Sequence, residues 1–126
     1  MAIVSRRIAA AVIDGRKRIE SRLALTRRAP FGRIRRGDRI YFKISGAEIV
    51  GSCTCRRVLQ FDRLSPAGVC ELRRRFGPLI AADRGYWSDR RAARYATLAW
   101  LGQFQPVGAH SPNVERQFGS GWIVLG

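Results

Sequence analysis

Hydrophobic and polar positions alternate along several stretches of this chain, and helical spacing and loops separate them. Ala2-Ile3-Val4 is a short apolar run that predicts a first strand. Ser5 is placed to cap a helix, and Ile8, Ala9, Val12 and Ile13 fall on one side at helical spacing. Asp14-Gly15 ends that pattern, glycine being the usual residue just past a helix. From about residue 18 to 25 the period is two. Ile19, Ser21, Leu23 and Leu25 point one way; Arg18, Glu20, Arg22 and Ala24 point the other. After a loop from Thr26 to Gly37, the turn signal Gly37-Asp38 precedes a half-buried strand in which Ile40, Phe42 and Ile44 alternate with Arg39, Tyr41 and Lys43.

Ser45-Gly46-Ala47 turns the chain into the next strand. There Ile49, Gly51, Cys53 and Cys55 share a face, and Val58, Leu59 and Phe61 continue it past an irregularity. Ser65-Pro66 predicts a helix start, with Val69, Leu72 and Phe76 on one face and Gly77-Pro78 as its end. Arg73-Arg74-Arg75 then lies in the last turn, where cations suit the helix dipole. Tyr86-Trp87 and the segment from Ser88 to Arg94 read as a loop and a short helix. Tyr95 to Phe104 reads as a central strand, apolar on both faces. A loop from Pro106 to Gly121 holds His110, Arg116 and Phe118, and Trp122 to Leu125 closes the chain as a last strand. Five or six strands with two or three short helices predict a strand-dominated α+β protein, a small closed or nearly closed barrel.

A chain of 126 residues with 46% apolar content suits one compact domain with a true core. The net charge of +15 adds a partner: so small and basic a chain attracts polyanions, because phosphate neutralisation releases counterions. Of its 24 basic residues only Lys17 and Lys43 are lysine. Where arginine is the default cation, a lysine suggests a group that titrates or acts as a point charge. The 26–37 loop carries Arg27, Arg28, Arg33, Arg35 and Arg36 around Phe31, a composition that suits a phosphate backbone and an unstacked base, or else a solvated connection anchored by Phe31.

The three cysteines form no C-x-x-C pair, and an odd count suggests a reducing compartment and a cytoplasmic protein. Cys53 and Cys55 read as small core residues, and one histidine gives no zinc site, so neither metal nor cofactor is expected. No signal peptide is evident and no apolar run approaches a membrane span. No feature of the sequence sets an oligomeric state.

The richest stretch is Gly15-Arg16-Lys17-Arg18-Ile19-Glu20-Ser21-Arg22, where Glu20 and Arg22 share a strand face and Lys17 sits in the turn that feeds it. Gly15-x-Lys17-x-x-Glu20-x-Arg22 matches the G-x-K-x-x-E-x-R pattern of the ASCH domains (activating signal cointegrator homology), a branch of the PUA-like barrels. The segment from Ile34 to Phe42 resembles their basic loop, Gly-Asp turn and strand, and Gly121 to Leu125 resembles their last strand. The resemblance spans nearly the whole chain and implies a single ASCH/PUA-like domain over residues 1–126. It implies a cleft for RNA, other nucleic acid or a modified nucleoside, lined by Lys17, Glu20 and Arg22.

Some ASCH members are amidohydrolases that use a lysine, a threonine and a glutamate. Lys17 matches the lysine, but their threonine falls where this chain has Glu20, so that triad is not intact. Other members resemble nucleases. The related EVE domains bind modified bases in an aromatic pocket, a role open to Tyr86 and Trp87, while Trp100 reads better as core. Three readings of Lys17, Glu20 and Arg22 follow. They form a nucleic-acid contact together with Arg27, Arg28, Phe31, Arg33, Arg35 and Arg36; or a hydrolase site with Lys17 titrating and Glu20 as general acid or base; or an ion-paired cluster that stiffens the barrel mouth.

Overall fold

The structure, a computed structural model, describes residues 1–107. His110, Arg116, Phe118 and the expected last strand, Trp122 to Leu125, lie outside the described residues. Six strands and three helices follow one another as β1 (Ala2–Val4), α1 (Arg6–Ile13), β2 (Ile19–Ala24), β3 (Arg39–Ile44), β4 (Ile49–Phe61), α2 (Pro66–Ile80), α3 (Arg84–Asp89), β5 (Tyr95–Leu101) and β6 (Gln105–Pro106). The strands form a half-barrel in the order β1-β3-β4-β5-β2, with β6 added against β4. Among the described residues all the pairings are antiparallel except β1 with β3, which is parallel. β4 is the spine of the sheet: its 13 residues pair with β3 in one half and β5 in the other.

The local signals are used as chemistry dictates. Ser5 Oγ accepts from the Ile8 amide, and Ser65 Oγ from the Gly68 amide, so both helices start at a side-chain cap. Gly15 closes α1 at φ 82°, a conformation costly for any residue with a Cβ. β4 has its irregularity between Cys55 and Arg57, where the register against β5 shifts by one residue.

Two apolar clusters flank the sheet. Ala2, Val4, Ala9, Val12, Ile34, Ile40, Phe42, Cys53 and Cys55 pack under α1 and inside the curve. Ile19, Leu64, Val69, Leu72, Ile80, Trp87, Ala96 and Leu98 pack between the sheet and helices α2 and α3. Cys53 and Cys55 are therefore core thiols, and burial pushes the Cys53 thiol up to about 11.

Three expectations need correction. α2 does not end at Gly77-Pro78; it carries Pro78 within its last turn and runs to Ile80. Ile80 is fully buried, and the terminal carbonyls find donors, Leu79 O from the Arg18 amide (2.7 Å) and Ile80 O from Lys17 Nζ (2.8 Å). Tertiary partners thus hold the turn that proline weakens. Arg73, Arg74 and Arg75 consequently lie in mid-helix, away from the dipole end, and Arg74 instead pairs with Glu71. Tyr86 and Trp87, in the stretch read as a loop and a short helix, sit inside that helix, α3, which starts earlier, at Arg84, and is capped by Asp83. The third correction is that the strand from Tyr95 ends at Leu101 rather than Phe104, and the chain turns back as β6, held by Arg39 donating to Gln105 Oε1 (2.8 Å).

Candidate functional site

A cleft of about 820 Å³ runs along the edge of β2, between β1 with the start of α1 on one side and α3 on the other. Strand parity puts Glu20 and Arg22 on one face of β2, as the alternation predicts. Pairing with β5 sets Arg22 opposite Thr97 and Glu20 opposite Ala99. Lys17 arrives from the turn after α1, fixed by its own amide donating to Ala11 O (3.0 Å).

These residues converge. Glu20 divides its two oxygens: Oε1 accepts from Arg22 Nε at 2.8 Å, and Oε2 stands 3.8 Å from Lys17 Nζ. Lys17 and Glu20 are only 6% and 4% exposed, whereas Arg22 is 23% exposed and reaches over to Ile3 O on β1 (3.3 Å). Burial holds the Lys17 ammonium below its ordinary value of 10.5; Glu20 works against that shift and Arg22 with it. Two buried polar atoms accept or donate no hydrogen bond among the described residues, Glu20 Oε2 and Thr97 Oγ1, and both residues line the cleft. A buried polar atom without a hydrogen bond costs about 1–3 kcal/mol, which the ion pair with Lys17 offsets for Glu20 Oε2 but not for Thr97 Oγ1.

The 26–37 loop brings part of its basic and aromatic set to the cleft. Pro30 and Ile34 are buried, and the loop is pinned by the Gly32 amide on Gln60 and the Gly37 amide on Cys55 O (2.8 Å). Arg28 and Phe31 line the cleft. Phe31 meets Tyr95 edge-on with centroids 5.4 Å apart, and Arg27 lies 5.0 Å above its ring. Arg33, Arg35 and Arg36 are exposed and are not among the cleft residues.

Of the three aromatics considered for a base pocket, only Tyr86 reaches the cleft; Trp87 is core, and Trp100 faces α2. The Tyr86 hydroxyl sits 2.5 Å from Ser21 Oγ, and burial raises its pKa. Sequence reasoning missed Ser21, Tyr95, Arg90 and above all Thr97. Thr97 carries no local signal; only the β2–β5 register brings it beside Arg22.

No protein-family model matches the sequence, and no curated protein matches it. Solved structures do resemble it. The ASCH protein of Zymomonas mobilis superposes with a TM-score of 0.62 at 22% identity, over 83% of this chain and 67% of its own. A tyrosine-to-phenylalanine variant of that protein gives 0.60 at 21% identity, over 86% and 73%. A serine-to-alanine variant gives 0.59 at 20%, over 83% and 68%. With its half-barrel, the three helices among its described residues and this likeness over most of its length, the chain has the fold of an ASCH domain.

Proposed function

We propose that this protein binds single-stranded RNA and draws one nucleotide into the cleft built on Lys17, Glu20 and Arg22. The observation that carries the reading is the pair of buried polar atoms without a hydrogen bond among the described residues, Glu20 Oε2 and Thr97 Oγ1, on two residues that line a cavity large enough for a nucleotide. A base edge offers both donors and acceptors, so it can satisfy a carboxylate oxygen and a hydroxyl together. Arg22, Arg28 and Arg90 line the same space and suit phosphate. Phe31 and Tyr95, also lining the cleft, offer rings on which a flanking base can stack. The ASCH fold is in keeping with this reading.

The test is titration of a fluorescent single-stranded oligonucleotide at two salt concentrations. Affinity should fall steeply as salt rises, and more steeply for the native chain than for Arg28→Ala. Absence of binding at low salt, or binding indifferent to salt, would contradict the proposal. Affinity confined to a modified nucleoside would appear as no oligonucleotide binding at low salt.

A second reading is favoured by one observation, the lowered pKa of the buried Lys17 beside an unsatisfied carboxylate oxygen. In that reading the cleft hydrolyses RNA or a modified nucleoside, with Lys17 titrating and Glu20 as general acid or base. Lys17 Nζ is already committed to Ile80 O, which favours binding over turnover. Product formation abolished in Glu20→Gln would establish the hydrolase reading.

A further inference from the structure

On the face of the sheet opposite Thr97, a second set of basic and aromatic side chains stands apart from the cleft. Trp100 on β5 and Phe76 on α2 meet edge to face, their ring centroids 5.5 Å apart at 88°. Each ring carries a guanidinium: Arg57 lies 4.8 Å over Trp100, and Arg75 lies 5.1 Å over Phe76. Both rings are half-buried and both arginines are exposed. The order across the surface is therefore Arg57, Trp100, Phe76, Arg75.

The bulge in β4 makes this strip. Cys55 pairs with Leu101, so an unbroken ladder would set Arg56 against Trp100; the register shift sets Arg57 there instead. Bulges recur where a strand must re-aim a side chain. The neighbouring carboxylate, Glu71, is engaged by Arg74, so it does not neutralise the two ring-bound arginines one for one.

We propose that this strip is a second nucleic-acid contact, which takes single-stranded RNA independently of the cleft. A guanidinium parked on a ring face can swing to a phosphate while a base takes its place on the ring, so charge and stacking are exchanged within one contact. A membrane or an acidic peptide would use the charge but has no base to put on Trp100. The occupant the strip fits is one with phosphates and flat rings in alternation.

The experiment uses the full chain and a labelled oligouridine of roughly 15 nucleotides, long enough to span more than one contact. The double variant Arg57→Gln/Arg75→Gln is compared with Arg6→Gln/Arg7→Gln, which removes the same charge from exposed positions on α1. The strip variant should lose about tenfold or more in affinity, and the α1 variant only a small factor. Equal losses in the two variants, or no loss in the strip variant, overturn the proposal. A second titration uses an abasic strand of the same length, for which the two variants should lose affinity alike; a strip-specific loss there would overturn the stacking role. Thr97→Val, which alters only the cleft, should leave the strip's contribution unchanged, so failure of either surface is visible apart from the other.

Discussion

Lys17 Nζ donates to Ile80 O across 2.8 Å, joining the turn after α1 to the last residue of α2. The lysine of the G-x-K-x-x-E-x-R stretch is therefore a helix-end clamp as well as a wall of the cleft. A cation at a helix C-terminus meets both an orphan carbonyl and the negative end of the dipole. The same ammonium stands 3.8 Å from Glu20, so fold stability and the polar site share one group.

Replacement of Lys17 by methionine keeps the apolar stem and removes the charge. It takes the donor from Ile80 O and leaves Glu20 to its ion pair with Arg22. The expected cost is about 1–3 kcal/mol, read from denaturant midpoints at constant slope.

The buried lysine also sets a pH dependence. Its folded pKa lies below 10.5, so between the two values the unfolded chain binds more protons, and stability rises with pH in that window. The native chain should therefore gain on Lys17→Met as the solution becomes alkaline towards 10.5. Cys53 acts the other way in both proteins: its thiol is raised from 9.0 to about 11, so the unfolded chain ionises first and stability falls across that interval. The difference between the two proteins cancels Cys53 and isolates Lys17. A flat difference across the alkaline range would contradict the assignment.

Thiol chemistry gives an independent check of the core. Cys70 is exposed on α2, whereas Cys53 and Cys55 are buried. One thiol should react with an aromatic disulfide reagent at once, and two only after denaturant is added. Rapid reaction of all three in the folded protein would refute the packing of β4.

Gly51→Ala probes the β4–β6 junction. A Cβ at Gly51 would collide with the Phe104 ring and the Gln105 carbonyl, and backbone cannot give way as a flexible side chain can. The expected loss is about 1–3 kcal/mol, seen as a lower melting temperature.

Much of this arrangement is legible in the sequence. Ser5 and Ser65-Pro66 announce their helices because caps are local chemistry, and the two-residue period of 18–25 places Glu20 and Arg22 together because parity is local too. What stays hidden there depends on distant partners. Pro78 stays inside α2 because Lys17 and Arg18 supply donors to the last turn, which no reading of residues 66–80 alone contains. Thr97 joins the cleft through a strand register that pairs it with Arg22, far away in the chain. Arg33, Arg35 and Arg36 look like Arg28 in sequence but not in place, since the burial of Pro30 and Ile34 decides which way the loop presents each side chain.

The central claim is that the unsatisfied polar atoms of the cleft are kept for a ligand, and Thr97→Val tests it most directly. The substitution preserves shape and removes the hydroxyl of a residue that is 2% exposed, a hydroxyl with no hydrogen bond among the described residues. Loss of an unsatisfied buried polar group should leave the melting temperature unchanged or raise it. The measurement is the RNA affinity of this variant beside the native chain, with melting recorded on the same samples. The predicted result is a loss of about tenfold, roughly 1.4 kcal/mol, in a protein that is no less stable. Native affinity in a fully folded Thr97→Val would contradict it.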